Sequence, residues 1–175
     1  MRIIRTLCLA LTILFLANCS KQQPQTPSRW MGKEVKVDSV HLALLELNQK
    51  MVEAADDKLT QIAQTKTEPY ALYEGNTWIY FMERGDMNMP APKDGDLLEV
   101  QMSVYTIEQE KLLVDIIREY RVGKSELLPA IENNITEFRK GTKARMLVPW
   151  YGAFGMKGTK DIPSYENVII NIEIR

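Results

Sequence analysis

The sequence predicts an α+β domain in which a twisted antiparallel sheet wraps around one short helix, with a long amphipathic helix preceding the sheet. Three observations lead to this prediction. Residues 38–66 carry apolar side chains three or four positions apart, a spacing typical of an amphipathic helix. Residues 70–175 contain several runs of β-branched and aromatic residues separated by turns rich in Gly and Pro. A single short helical pattern, after Ser125, interrupts those runs.

The first 18 residues have the composition of a signal peptide. Arg2 and Arg5 precede an almost wholly apolar stretch that is too short to span a bilayer comfortably. The stretch ends in Leu16-Ala17-Asn18-Cys19, which resembles the lipobox of bacterial lipoproteins. The resemblance implies lipidation of Cys19 and a lipid-anchored location in the bacterial cell envelope, at the periplasmic or the outer membrane. Ordinary signal cleavage nearby stays open as an alternative, because Asn18 stands where lipoproteins usually have Gly, Ala or Ser.

The composition of the mature chain excludes several classes of function. Cys8 lies in the predicted signal peptide, so Cys19 is the only thiol left and no intramolecular disulfide is expected. Without residues 1–18 the chain has 20 basic and 23 acidic residues, a net charge of about −3, which argues against binding to nucleic acid. A single histidine, His41, and one cysteine cannot build a His/Cys metal site, so no metal and no cofactor is expected.

Residues 19–37 are polar and contain prolines, and we predict a flexible tether there. A helix over 38–66 follows, with Asp38 or Ser39 as its cap. Its apolar positions are Val40, Leu44, Leu47, Met51, Ala54, Leu59 and Ile62. One face of this helix has to be covered, either by the helix's own domain or by a second chain in a homodimer formed through residues 38–65.

The rest of the sequence predicts a sheet with one helix inserted in it. A Gly75-Asn76 turn favours a hairpin between residues 70–73 and 78–82, and residues 97–105 alternate between apolar and polar side chains. Further strands are predicted within residues 111–117, 143–148 and 167–174. Ser125 is predicted to cap a helix that holds Pro129 in its first turn and continues to Phe138.

The segment Gly141-Thr-Lys-Ala-Arg-Met-Leu-Val-Pro-Trp-Tyr-Gly-Ala-Phe-Gly155, followed by Ile162-Pro163 and the apolar run 168–174, resembles the C-terminal half of FKBP-type peptidyl-prolyl isomerases. Upstream, Tyr120-Arg-Val-Gly123 and the run that starts at Gly95-Asp96 are also similar to that family. The resemblance covers roughly residues 71–175. Together with the lipobox and the long helix, it extends to the FKBP-like lipoproteins associated with gliding motility.

The resemblance implies an apolar substrate pocket without catalytic acids or bases. By position, its walls are Met102, Leu127, Leu128, Ile131, Phe154, Ile162 and Ile170, and the Leu128 N–H bonds the substrate carbonyl. The family normally has tyrosine at position 102, tryptophan at 131, and at 154 a tyrosine whose hydroxyl bonds the ligand. The family's pocket aspartate falls at Val114 or Asp115, and the sequence leaves this choice open.

Two functions follow as expectations. The first is a membrane-tethered peptidyl-prolyl isomerase, a folding factor for proline-containing segments of exported proteins. Its activity is expected to be weak or lost because three pocket positions are substituted. The alternative is a non-catalytic FKBP-like binding or chaperone module in an envelope machine for gliding or secretion. A purely structural lipoprotein ranks third. Its support is that four wall residues, Leu127, Leu128, Ile131 and Ile170, would be buried core in this fold with or without a substrate.

Overall fold

A computed structural model of the chain describes residues 39–175; the predicted signal peptide, the tether and Cys19 lie outside the described residues. In chain order the elements are α1 (Ser39–Thr65), β1 (Ala71–Tyr73), β2 (Thr77–Glu83), β3 (Leu97–Thr106), β4 (Leu112–Arg121), α2 (Pro129–Asn133), β5 (Lys143–Val148) and β6 (Val168–Ile174). Single 3-10 turns lie at Glu74–Asn76, Ile135–Glu137 and Trp150–Gly152. The predicted α+β class is confirmed.

The strands form one sheet in the order β1-β2-β5-β6-β3-β4, and every neighbouring pair is antiparallel. The predicted hairpin at Gly75-Asn76 is confirmed: both residues have positive φ, 67° and 52°, as tight hairpin turns between twisted strands require. β3 shows the predicted alternation, because Val100, Met102 and Val104 are buried while Glu99 is exposed.

The central strand β6 is covered on both faces. Ile170 and Ile172 belong to the main core on the side of α2, whereas Ile169 packs in a second cluster with Leu59 of α1. Successive side chains of a strand point to opposite faces, so a strand covered on both sides needs consecutive apolar residues. The sequence Val168-Ile-Ile at the start of β6 meets this need.

α1 confirms the predicted helix, but its two halves have different environments. In the C-terminal half Ala55, Leu59 and Ala63 lie four residues apart and are buried, with Leu59 and Ala63 packing against the sheet. The predicted apolar stripe also includes Val40 and Leu44, which are exposed. Covering by the helix's own domain therefore applies to the C-terminal half. No helix within residues 39–175 has the length and hydropathy needed to cross a membrane.

The predicted short helix is wrong at both ends. α2 spans only Pro129–Asn133, and Leu128, not Ser125, is the residue before its first turn. Ser125 has a φ of 54°, in the left-handed region, and no capping role in this helix. Leu128 is extended, with φ −64° and ψ 144°, because the residue before a proline is kept out of the helical region by the proline ring. The predicted first-turn position of Pro129 is confirmed.

Asn134, directly after α2, connects this helix to the β1–β2 hairpin. Its side chain is 3% exposed. Its Nδ2 donates to the carbonyl oxygens of Ala130, at 2.8 Å, and Glu74, at 3.1 Å. Its Oδ1 accepts a hydrogen bond from the Glu74 N–H at 3.1 Å. This one amide therefore satisfies three backbone groups and fixes the position of α2 relative to the sheet.

Candidate functional site

The seven residues predicted to line the pocket lie together in the core between α2 and the sheet. Met102 of β3 and Ile170 of β6 lie on the same sheet face, on neighbouring paired strands. The other five come from α2, from the residues just before it and from the loop between β5 and β6: Leu127, Leu128, Ile131, Phe154 and Ile162. The fold thus brings together residues that are up to 68 positions apart in the chain.

The exposure of these side chains separates a closed floor from an accessible rim. Ile131 and Ile170 are 0% exposed, Ile162 is 1%, and Met102 and Leu127 are 6% and 7%. Only Leu128 and Phe154 are half-buried, packed against the cluster from its edge. A ligand arriving from solvent therefore meets Leu128 and Phe154 first, and reaches Ile131 only if the packing around it opens.

The backbone carbonyl of Leu128 is hydrogen-bonded within the described part of the chain, whereas its N–H is not. Its own carbonyl accepts hydrogen bonds from the N–H groups of Ile131, at 2.9 Å, and Glu132, at 3.0 Å, which closes the first turn of α2. Its N–H has no acceptor among residues 39–175. An unpaired donor beside apolar side chains favours a ligand that brings its own acceptor.

The loop that carries Phe154 is held by many hydrogen bonds. The Trp150 N–H donates to Asn167 Oδ1 at 2.9 Å, and the Gly155 N–H donates to the Trp150 carbonyl at 2.8 Å. Gly152 lies close to α2, since a Cβ placed on it would be 3.4 Å from the Cβ of Ala130. The position of Phe154 is therefore set by the packing of this turn against α2.

Of the two positions that the sequence leaves open for the family's aspartate, only Val114 packs against the core cluster. Asp115 is its neighbour in β4 and points to the other sheet face, where it accepts a hydrogen bond from Ser103 Oγ at 2.7 Å. Of these two positions, the one that faces the cluster is therefore a valine and not a carboxylate. Together with Phe154, which has no hydroxyl, this leaves the Leu128 N–H as the polar group at the rim.

A polar network that the sequence did not predict lies at the outer side of the same loop. The hydroxyl of Tyr151 donates to Asp56 Oδ1 at 2.5 Å, and Asn76 Nδ2 donates to Asp56 Oδ2 at 2.8 Å and to Tyr151 Oη at 3.2 Å. Burial, with the Asp56 carboxylate as the next cause, raises the pKa of Tyr151 to about 12. These residues are 20 to 95 positions apart, so no local pattern indicates the network.

Two surface clefts lie away from the seven residues. One, of about 120 Å³, opens on the sheet face opposite α2, and the other, of about 300 Å³, lies beside the β2–β3 loop. Their lining residues include Gln101, Lys143 and Asn171 in the first and Met89, Leu97 and Arg175 in the second. Neither cleft contacts the predicted pocket.

Comparison with known proteins identifies the fold. No family model matches the chain, and no curated protein matches its sequence. Among solved structures, a peptidyl-prolyl cis-trans isomerase from Pseudomonas syringae pv. tomato is similar with a TM-score of 0.58 and 16% identity, over 72% of this chain and 92% of that chain. The N-terminal domain of FKBP42 from Arabidopsis thaliana is similar with a TM-score of 0.54 and 15% identity, over 63% of this chain and 91% of that chain.

At these identities the similarity shows the fold, and the activity has to be argued from the site itself. The chain therefore has the fold of the FKBP-type peptidyl-prolyl isomerases, as the resemblance of residues 71–175 predicted.

Proposed function

We propose that the chain binds proline-containing segments of exported proteins at the rim formed by Leu128 and Phe154, and that it accelerates their cis-trans isomerisation weakly. The observation that supports this proposal best is the unpaired N–H of Leu128 beside two half-buried apolar side chains. An X-Pro segment offers a carbonyl for the first group and an apolar ring for the second.

The reaction requires little chemistry from the protein. Rotation about an X-Pro bond has to pass a barrier of about 18–20 kcal/mol, and in the twisted amide the conjugation between nitrogen and carbonyl is lost. An apolar surface favours this less polar state, and one hydrogen bond to the carbonyl holds the chain while it rotates. Each 1.36 kcal/mol of barrier reduction is worth about tenfold in rate.

A second function, non-catalytic binding, is favoured by the closed floor. Ile131 is fully buried, and Val114 stands on the cluster side where a carboxylate would act. Contacts between a proline ring and the half-buried side chains of the rim add to binding affinity. They contribute little to stabilising the twisted amide specifically. The domain would then hold extended segments as a chaperone or as a module of an envelope machine.

The test combines an isomerase assay with a binding assay on the mature chain. Leu128→Asp should abolish peptide binding and any isomerisation of prolyl tetrapeptides, because it places a charge at an apolar rim. Ile117→Asp is the matched control: it introduces the same charge at an exposed apolar position of β4, on the opposite sheet face. Activity retained in a folded Leu128→Asp protein would refute this site. Binding and slowed aggregation of an unfolded client, without isomerisation, would support the non-catalytic function.

The membrane anchor is part of the same proposal. The motif Leu16-Ala17-Asn18-Cys19 supports lipidation of Cys19, which would hold the domain at the surface of a membrane in the bacterial envelope. Mass spectrometry of the membrane-extracted protein should find a diacylated or triacylated N-terminal cysteine, and Cys19→Ser should release the protein. A soluble mature chain that begins at another residue would contradict the anchor.

A second copy of the chain is the partner that we propose for the N-terminal half of α1. Five large apolar side chains within eight residues, Val40, Leu42, Leu44, Leu45 and Leu47, are 52–61% exposed. Val40, Leu44 and Leu47 form a stripe on one helix face, and two such stripes can pair about a two-fold axis. The C-terminal half of α1 stays on its own sheet in this arrangement. Deleting the whole helix would therefore uncover Leu147 and Ile169, so point substitutions in the stripe are the better test.

A further inference from the structure

The network of Asp56, Tyr151 and Asn76 joins three separate parts of the fold. Asp56 lies on α1 beside the buried Ala55, Asn76 ends the β1–β2 turn, and Tyr151 lies in the 3-10 turn that leads to Phe154. Both oxygens of the Asp56 carboxylate accept a hydrogen bond, one from the Tyr151 hydroxyl and one from the Asn76 amide. Hydrogen bonds to a charged acceptor are roughly twice as strong as neutral ones.

A short path of contacts leads from this network to Phe154. The Tyr151 ring packs edge-on against Trp150, with ring centroids 5.4 Å apart, and Trp150 packs in the same way against Tyr165 at 5.0 Å. The Trp150 carbonyl accepts the Gly155 N–H, and the Gly155 carbonyl accepts the Tyr165 N–H at 3.3 Å. The Ala153 N–H donates to the same Trp150 carbonyl at 3.2 Å, so both neighbours of Phe154 in the chain, Ala153 and Gly155, are bonded to Trp150.

We propose that Asp56 and Tyr151 are positioning residues, which hold the turn 150–155 so that Phe154 stays in place beside Leu128 at the rim of the proline-binding surface. Through Asp56, the long helix α1 then controls the same site. This inference rests on the proposed function of the rim. Neither residue touches the ligand; both act through the conformation of the turn.

The effect on ligand affinity depends on the fraction of the protein in which the turn 150–155 has the conformation described above. Ligand affinity falls in proportion to the fraction of protein that is in the binding conformation. The loss of a hydrogen bond to a charged group changes that equilibrium by more than about tenfold if nothing replaces the bond. Because Asp56 and Tyr151 are only partly buried, water replaces some of the lost bond, and we expect an effect of about tenfold at most.

The experiment uses Asp56→Ala, Tyr151→Phe and their combination in the mature chain. Lys58→Ala is the matched control, since Lys58 also ties α1 to the domain, through Glu108 at 3.0 Å, a residue outside the turn 150–155. Each substitution should raise the KM for a prolyl tetrapeptide, or the Kd where turnover is absent, by about three- to tenfold. The kcat should stay within about twofold. The double variant should lose less than the sum of the two single variants, since both remove the Asp56–Tyr151 bond.

A second readout separates this inference from the proposed function. In protein labelled with 5-fluorotryptophan, the 19F resonance of Trp150 should shift or broaden in Asp56→Ala and stay in place in Lys58→Ala. Trp30→Phe and Trp78→Phe assign the remaining resonances. If the wild-type chain neither binds nor isomerises the peptide, the proposed function fails, while the Trp150 resonance still tests the positioning role. An unmoved Trp150 resonance in Asp56→Ala, or additive losses in the double variant, would overturn the inference.

Discussion

Asn133 and Asn134 are adjacent in the sequence, and the structure predicts that only the second matters for stability. Asn134→Ala removes an amide that satisfies the carbonyl of Ala130 and both backbone groups of Glu74. Asn133→Ala removes a side chain that makes no hydrogen bond within the part of the chain that the structure describes. The two variants have the same chemistry and neighbouring positions, so each controls for the other.

The magnitude follows from the three backbone groups. An unsatisfied buried polar group costs about 1–3 kcal/mol. The two groups of Glu74 are only part-buried, so water pairs with them in part, and we count the two together as about 1 kcal/mol. The free energy of unfolding should therefore fall by about 2–4 kcal/mol in Asn134→Ala, whereas a substitution without such contacts usually changes it by less than about 0.5 kcal/mol.

Urea denaturation followed by circular dichroism measures the difference, with the slope m as a check that the same surface unfolds in each variant. For a chain of this size, about 2–4 kcal/mol corresponds to a decrease in Tm of roughly 5–15 °C. Equal unfolding free energies for Asn133→Ala and Asn134→Ala would refute the reasoning, because burial and hydrogen bonding would then not distinguish the two amides.

Three further predictions concern the floor, the tyrosine and the long helix. Ile131→Trp should lower the free energy of unfolding by about 1–3 kcal/mol, because the fully buried Ile131 leaves no room for a larger ring. An open floor would instead give about a tenfold gain in isomerase activity. Urea denaturation together with the tetrapeptide assay decides between these outcomes. The pKa of Tyr151 is about 12 in the folded protein and ordinarily 10, so the folded state holds the hydroxyl proton more tightly than the unfolded state. The free energy of unfolding should therefore fall between pH 10 and pH 12. Urea unfolding at several pH values should show a smaller fall in Tyr151→Phe. In light scattering, the double substitution Leu44→Lys with Leu47→Lys should give a monomer. Leu42→Lys, which lies off the stripe, should leave the dimer intact. A wild-type chain that is already monomeric would contradict the pairing.

The sequence determined the class of fold and most of the strands. Alternation in residues 97–105, the Gly75-Asn76 turn and the spacing in α1 are local patterns, and local patterns fix local structure. The resemblance over roughly residues 71–175 indicated the seven apolar residues that the fold gathers into one cluster. The short helix was mispredicted because its apolar periodicity continues through Phe138, while the backbone at Leu128 and Pro129 decides where the helix begins.

Only the tertiary structure decided which of these residues are accessible and what holds them. Ile131 and Leu128 are both apolar and three positions apart, yet one is a closed floor and the other an accessible rim, because burial depends on the packing of α2 against the sheet. The same holds for Asp56 and Tyr151, 95 residues apart, whose contact arises only when α1 lies across the back of the sheet. Side-chain type is a property of the sequence, whereas the distance between remote side chains is a property of the folded chain.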